Sequence, residues 1–341
     1  MCHVNIKVSM SALCIAAAAT LAAAVPAHAE WVNRVTDGIM GTRITVELWS
    51  EERAKAEAAI DAVLDEMRRI DESMSTYKPT SEISLVNAKA ADGPMHISKE
   101  LFDLLVKSKE YSVITEGAFD ITYASVGYMY NFPKHIHPDE AQITKALPAV
   151  DYRHLILDAK NQTVLFSQKG VRIDLGGIAK GYSVDCGIEV LKARGFTRAY
   201  VSAGGDSRII GDRFGKPWMV GIRDPRKGAG EVIASVPLVD AAISTSGDYE
   251  RFFDEGGVRY HHIIDPHTGH SASKVRSATV IGPYATRTDG LSKTAFVLGP
   301  EKAMEIYNRI DDIDAIIVKL DGTVVYSKGM QRGKAPPPPP R

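Results

Sequence analysis

The residues best suited to chemistry gather in a few clusters rich in glycine, aspartate and histidine. The densest is Asp174-Leu-Gly-Gly-Ile-Ala-Lys-Gly-Tyr182, which reads as a strand end passing through two glycines into a helix. Glycines let backbone approach a ligand closely, and the free N–H groups and positive dipole of a helix start favour an anion. Lys180 adds a mobile positive charge, so a phosphate is the natural ligand. A Gly-Gly pair alone more often only relieves strain in a tight turn, and the segment fits neither G-x-x-x-x-G-K-[ST] nor G-x-G-x-x-G. A second cluster, Tyr260 to His270, holds His261, His262, His267 and His270 around an apolar strand that ends in an Asp-Pro turn. A histidine there can act as a general base at neutral pH, although each taken singly is more often a hydrogen-bonded or surface residue. Zinc is poorly supported: there is no H-E-x-x-H, and too few cysteines accompany the histidines. In the third cluster, Thr288-Asp-Gly-Leu-Ser292, a helix is expected to start near Asp289, where a carboxylate is usually a cap. Mg²⁺, however, takes hard oxygens, commonly one or two carboxylates plus substrate phosphates. Asp289 fits that pattern too. Met40-Gly-Thr42, Gly117-Ala-Phe-Asp-Ile-Thr122 and Ala203-Gly-Gly-Asp206 complete the set, with Met40, Tyr77 and Phe119 reading singly as core residues.

The elements that must position these clusters are partly legible. Ile44, Val46 and Leu48 alternate with Arg43, Thr45 and Glu47, the pattern of a strand with one buried face. Ala56, Ile60, Val63, Leu64, Met67 and Ile70 then recur at helical spacing between about Glu52 and Asp71. Ser98 is placed to cap a second helix bearing Leu101, Leu104 and Leu105. After Asp151 come short strands, at Leu155 to Leu157, Thr163 to Phe166, Ala199 to Ser202, Trp218 to Ile222 and Val232 to Val236, interrupted by a helix from Ile178 to Ala193. The C-terminal part mixes helices from about Asp289 and Pro300 with strands at Ala315 to Val318 and Val324 to Tyr326. Strands and helices interleave without a βαβ rhythm, which favours an α+β fold over a doubly wound sheet.

The 45% hydrophobic and 24% charged composition is that of a globular protein, and the formal net charge of −1 gives no reason to expect nucleic acid or an anionic membrane as partner. Lys7, the apolar stretch from Ala12 to Val25 and the small-x-small site Ala27-His28-Ala29 read as an export signal over residues 1–29. The apolar run is shorter than the ~18 to 20 residues of a spanning helix, and Leu13 before Cys14 disfavours a lipoprotein. Cleavage near Ala29 removes Cys2 and Cys14 and leaves Cys186 without an internal disulfide partner. The expectation is a periplasmic protein with one domain over residues 30–332 and a Pro-rich tail, 333–341, outside the core.

Taken together and in order, these segments resemble the ApbE family of FAD:protein FMN transferases. The matching stretches are Met40-Gly41-Thr42, Ser75-Thr76-Tyr77, Ala118-Phe119-Asp120, Asp174 to Tyr182, Ala203 to Asp206, Ser244-Thr-Ser-Gly-Asp-Tyr249, His262 to Gly269 and Thr288 to Ser292. The resemblance implies a single ApbE-like, T-fold-related domain of mixed or antiparallel sheets with packed helices. It also implies a reaction: a threonine or serine hydroxyl of an exported or membrane-bound redox subunit attacks the FMN-side phosphorus of FAD, and AMP leaves. Any membrane association would come only through that partner. Position by position, it places Met40, Tyr77, Ala118, Phe119, Asp120, Asp174, Lys180 and Ile263 around FAD. It gives Mg²⁺ to Asp289 with backbone oxygens of Gly177 and Ser292, and makes Lys180 and Asp289 catalytic beside His262 as the base.

One position departs from the family. Where many members carry Thr immediately after the position of Ser292, this chain has Lys293. A protonated lysine cannot ligate Mg²⁺, so water or Thr294 replaces that oxygen, or the ammonium partly substitutes for a cation. Weaker metal dependence is expected. Two other readings of the same residues stay open: a Mg²⁺-dependent FAD pyrophosphatase, with water as acceptor, and a periplasmic protein that binds flavin without chemistry. A zinc-dependent hydrolase is more distant.

Overall fold

The computed structural model describes residues 29–228 and 230–332. All of the expected export signal except Ala29, and the whole Pro-rich tail, lie outside the described residues.

Two long strands, β1 (Glu30–Ile39) and β2 (Thr42–Ser50), lead into helix α1 (Arg53–Met74). Helix α2 (Glu82–Lys89), the short β3 (Met95–His96), α3 (Lys99–Ile114), α4 (Ala124–Gly127), α5 (Glu140–Ala146) and a hairpin, β4 (Leu155–Asp158) and β5 (Thr163–Phe166), follow. Helix α6 (Ala179–Ala193) precedes seven strands: β6 (Ala199–Ala203), β7 (Asp206–Ile210), β8 (Trp218–Arg223), β9 (Val232–Leu238), β10 (Ala242–Gly247), β11 (Phe252–Glu255) and β12 (Val258–His261). The chain then runs through β13 (Val275–Gly282), α7 (Ala285–Leu291), α8 (Thr294–Leu298), α9 (Pro300–Tyr307), β14 (Asp314–Lys319), β15 (Val324–Tyr326) and α10 (Lys328–Arg332).

Eight of these strands form one sheet in the order β1-β2-β6-β7-β10-β13-β14-β15, and every pairing in it is antiparallel. Successive residues of a strand face opposite sides, so neighbours on the central strands serve different cores. Ile210, Ala242 and Val280 pack under the helices, whereas Ile209, Ile243 and Ile281 join Trp218, Ile222 and Val236 of the β8–β9 hairpin on the opposite face. Helix α1 has no side-chain N-cap and no acidic residue in its first turn. Its eight buried residues therefore hold it, each large one contributing about 1.5–3 kcal/mol. Among the described residues no helix is long and apolar enough to cross a membrane.

The α+β expectation agrees with this architecture, and most of the expected elements appear within a residue or two. Three local expectations do not hold. Residues 171–175 form no strand before the glycines; the Asn87 amide stands in for a partner strand, donating to Ile173 O and accepting from Ile173 N, both at 2.8 Å. The strand before the Asp-Pro turn stops at His261, because Ile263 and Ile264 turn into separate apolar clusters. Helix α7 begins at Ala285, so Asp289 lies inside it and does not cap its start.

Candidate active site

Asp289 is fully buried on α7, against the start of α6. Two features bring those helices together. Gly181 has no side chain where a Cβ would lie 2.2 Å from Ala285 O and 2.8 Å from Asp289 Cβ. The Asp185 carboxylate of α6 accepts from Ala285 N at 2.9 Å, Thr286 N at 2.8 Å and Thr286 Oγ1 at 2.6 Å, capping α7 from outside its own sequence.

Between the helices sits a cluster of four charges. Lys180 Nζ donates to Asp206 Oδ2 and lies 3.7 Å from Asp289 Oδ2, which also accepts from Gly181 N at 3.0 Å. Lys293 Nζ donates to Asp289 Oδ1, to Asp289 O at 2.7 Å and to Gly177 O at 3.1 Å. Burial works against the charge of Asp289, but the two ammoniums outweigh it and hold its pKa below the usual carboxylate value. Asp206 moves the opposite way, raised by burial and by repulsion from Asp289. For Lys180 burial opposes the charge, yet Asp206 and Asp289 hold its pKa above the ordinary lysine value.

Around this cluster the expected flavin-site residues divide. Phe119 Cε2 would lie 3.3 Å from a Cβ at Gly177, so the aromatic wall and the glycine loop touch. Ala118 and Ile263 share one buried cluster beneath the site. Met40, with φ 53°, packs against two of the molecule's hydrophobic clusters at the β1–β2 turn. Asp174 accepts from Thr76 Oγ1 and Gly176 N, both at 2.7 Å, tying the Ser75-Thr76-Tyr77 turn to the glycine loop. Tyr77 is 86% exposed, against its reading as a core residue, and presents a free ring beside that loop. Asp120 is nearly buried, with both oxygens already satisfied by Thr122 N and Oγ1 and by Tyr152 N; burial raises its pKa.

His262 is reached by Arg251, whose carbonyl accepts from His262 N at 3.1 Å. Burial, then repulsion from His261, Arg251, Lys180 and Lys293, pushes the His262 pKa down to about 3. The ordinary value near ~6.5 expected for a base does not apply to His262. The imidazole is neutral at neutral pH, and its Nδ1 is buried with no hydrogen-bond partner among the described residues. The other histidines are placed differently: His267 Nδ1 lies 3.1 Å from Asp265 Oδ1 in the turn, and His261 is buried against Phe296.

The oxygens proposed for a metal converge in part. Gly177 O and Asp289 share one focus, but the third oxygen there is Asp289 O; Ser292 contributes its hydroxyl, which donates to Asp289 O at 2.8 Å and lies 2.8 Å from Ser246 Oγ. These donors are of the hard type that Mg²⁺ takes, and Lys293 Nζ stands at their focus. Sequence reasoning missed Arg251, which donates to Gly41 O at 3.1 Å and bridges the β1–β2 turn to His262. It also quoted Asp206 only as part of a glycine turn. No spacing marks either residue; only the register of β10 on β7, which sets Asp206 opposite Ser244, places Asp206 at the site.

Three cations close to one neutral imidazole suit an anionic phosphate ester and a proton transfer next to it. The family comparisons fit this geometry. The sequence model of the ApbE family matches residues 40–317. The chain is 33% identical over 311 residues to the FAD:protein FMN transferase of Treponema pallidum, covering 86% of each protein. The crystal structure of the ApbE protein of Thermotoga maritima superposes with a TM-score of 0.81 at 34% identity, over 89% of this chain and 99% of that one. The apo flavinyl transferase ApbE of Pseudomonas stutzeri gives 0.77 at 27% identity, over 89% and 96%. With its fold and its ordered motifs in agreement, the chain belongs to the ApbE family.

Proposed function

We propose that this enzyme transfers FMN from FAD to a Thr or Ser hydroxyl of an exported redox protein and releases AMP. The acceptor oxygen bonds to the FMN-side phosphorus as the bond from that phosphorus to the AMP phosphate oxygen breaks. AMP departs with that oxygen. The hydroxyl proton passes first to His262. The observation that carries the reading is the buried Lys180–Asp206–Asp289–Lys293 cluster, roofed by the Gly176–Gly177 loop and flanked by Arg251 and neutral His262.

Each residue has a task that follows from its position. Lys180 and Arg251 orient the pyrophosphate and stabilise the charge that develops on the leaving phosphate. Tyr77, Met40 and Phe119 offer the apolar surfaces a flavin ring needs. An incoming pyrophosphate offsets the cations that depress His262, so substrate binding itself raises its pKa toward the range useful for a base. Asp289 and Gly177 are the groups that would hold Mg²⁺, which when bound supplies further neutralisation of the pyrophosphate.

We place the protein in the periplasm, supported by the leader over residues 1–29. Fractionation with N-terminal sequencing should return Glu30 first. The activity test is incubation of the mature chain with FAD, Mg²⁺ and an acceptor domain carrying the target threonine, followed by mass spectrometry of the acceptor. One FMN added, and little added with His262→Ala, is the expected result. Free FMN and AMP without labelled acceptor would replace the reading with a pyrophosphatase.

A further inference from the structure

We infer that Lys293 is a tethered cation that occupies the divalent position of this site, so that Mg²⁺ binds only by displacing its ammonium. The inference rests on the transferase reading for the expectation that a cation belongs at this focus. What carries it is geometry. An ammonium has three N–H donors, and those of Lys293 meet three oxygens: Asp289 Oδ1, Asp289 O at 2.7 Å and Gly177 O at 3.1 Å. Two of the three belong to the residue best suited to ligate a metal, and the third is the carbonyl of the glycine loop. The Lys293 side chain is 17% exposed, and its stem passes within 3.6 Å of where a Gly177 Cβ would lie. It is thus folded back from the α7–α8 junction toward Asp289, four residues earlier, and not extended into solvent.

Charge decides what the lysine does there. Asp206 and Asp289 bring two negative charges and Lys180 and Lys293 two positive ones, so these four side chains sum to zero, with Arg251 a further cation near Lys180. Without Lys293 the balance is one net negative charge around a triad of hard oxygens, the condition that attracts a dication. With it, a divalent ion meets no net negative charge and a focus that is filled. Lys293 also removes the need for metal in the resting protein, because Asp289, fully buried, is never left with Lys180 as its only counter-charge.

The test uses the flavin-free mature chain and metal alone. Mn²⁺ titration followed by electron paramagnetic resonance should show weak binding to the wild type and binding roughly tenfold tighter or more to Lys293→Thr and Lys293→Met. Melting provides a second readout. The wild type should melt at the same temperature in EDTA and in millimolar Mg²⁺, whereas Lys293→Met should melt lower in EDTA and recover when Mg²⁺ is added. A variant that folds only with Mg²⁺ present would be the extreme form of the same result. Equal Mn²⁺ affinity in wild type and variants, or variants whose melting or folding ignores Mg²⁺, would overturn the inference. None of these measurements involves FMN transfer, so failure here leaves the transferase reading intact, and the failure of that reading would show instead as an unlabelled acceptor.

Discussion

Asp289 is held by two ammoniums and a backbone N–H with no exposure to solvent, so its charge is both buried and fully matched. Asp289→Asn keeps the shape and removes the charge, leaving Lys180 and Lys293 short of a partner. Breaking one side of a buried pair costs on the order of 3–5 kcal/mol, and losing an electrostatic anchor of a transfer site typically costs a rate factor of about 10² to 10³. A lower melting temperature together with near-complete loss of acceptor labelling is expected; a variant with wild-type values in both would remove Asp289 from the site. His262 makes a prediction about pH. Its folded pKa of about 3 lies below the unfolded value near ~6.5, so the unfolded chain holds more protons between those limits. The stability carried by the neutral imidazole is complete above that upper limit and is lost as pH falls toward the lower one. Urea midpoints of wild type and His262→Gln should therefore draw closer, or cross, as pH drops from neutrality. Parallel profiles would mean the imidazole is not held neutral by the fold.

At the scale of elements, the decisive contact is that of α6 with α7. A methyl group at position 181 would fall 2.2 Å from Ala285 O, where backbone cannot yield as a side chain could. Gly181→Ala should separate the helices, destabilise by about 1–3 kcal/mol or more and abolish labelling, since Lys180 and Asp289 ride on the two helices concerned. Gly93→Ala is the control: nothing lies within 4 Å of its added methyl, and it should leave melting and labelling unchanged. The same contact explains why the sequence misplaced the start of α7. Local signals near Thr288 and Asp289 resemble a capped helix start, but the real cap is the carboxylate of Asp185, which no window around residue 285 contains.

Across the whole molecule, the site closes where segments remote in the chain meet. Arg251 bonds to Gly41 O, joining the first hairpin turn to the segment after β10. Arg251→Ala should weaken FAD binding about tenfold or more, as expected for a lost charge-assisted hydrogen bond, with little change in melting because the side chain is exposed. Unchanged affinity by fluorescence titration would exclude it from the binding surface. The strands that carry this closure were the least legible. Ser244 and Ser246 of β10 turn their hydroxyls to Thr288 and Ser292, each at 2.8 Å, so a central strand lacks the apolar alternation that betrays β2. By itself the sequence determined the amphipathic helices, the apolar strands, the α+β class and the family, because periodicity and motif order are local properties of the chain. Only the tertiary structure decided that Asp289 lies inside its helix, that Asp206 and Arg251 join the site, that His262 is neutral and that Lys293 fills the oxygen focus. Those outcomes depend on burial and on contacts between groups up to some two hundred positions apart, whose interactions fall off too steeply with distance to be read from composition or spacing.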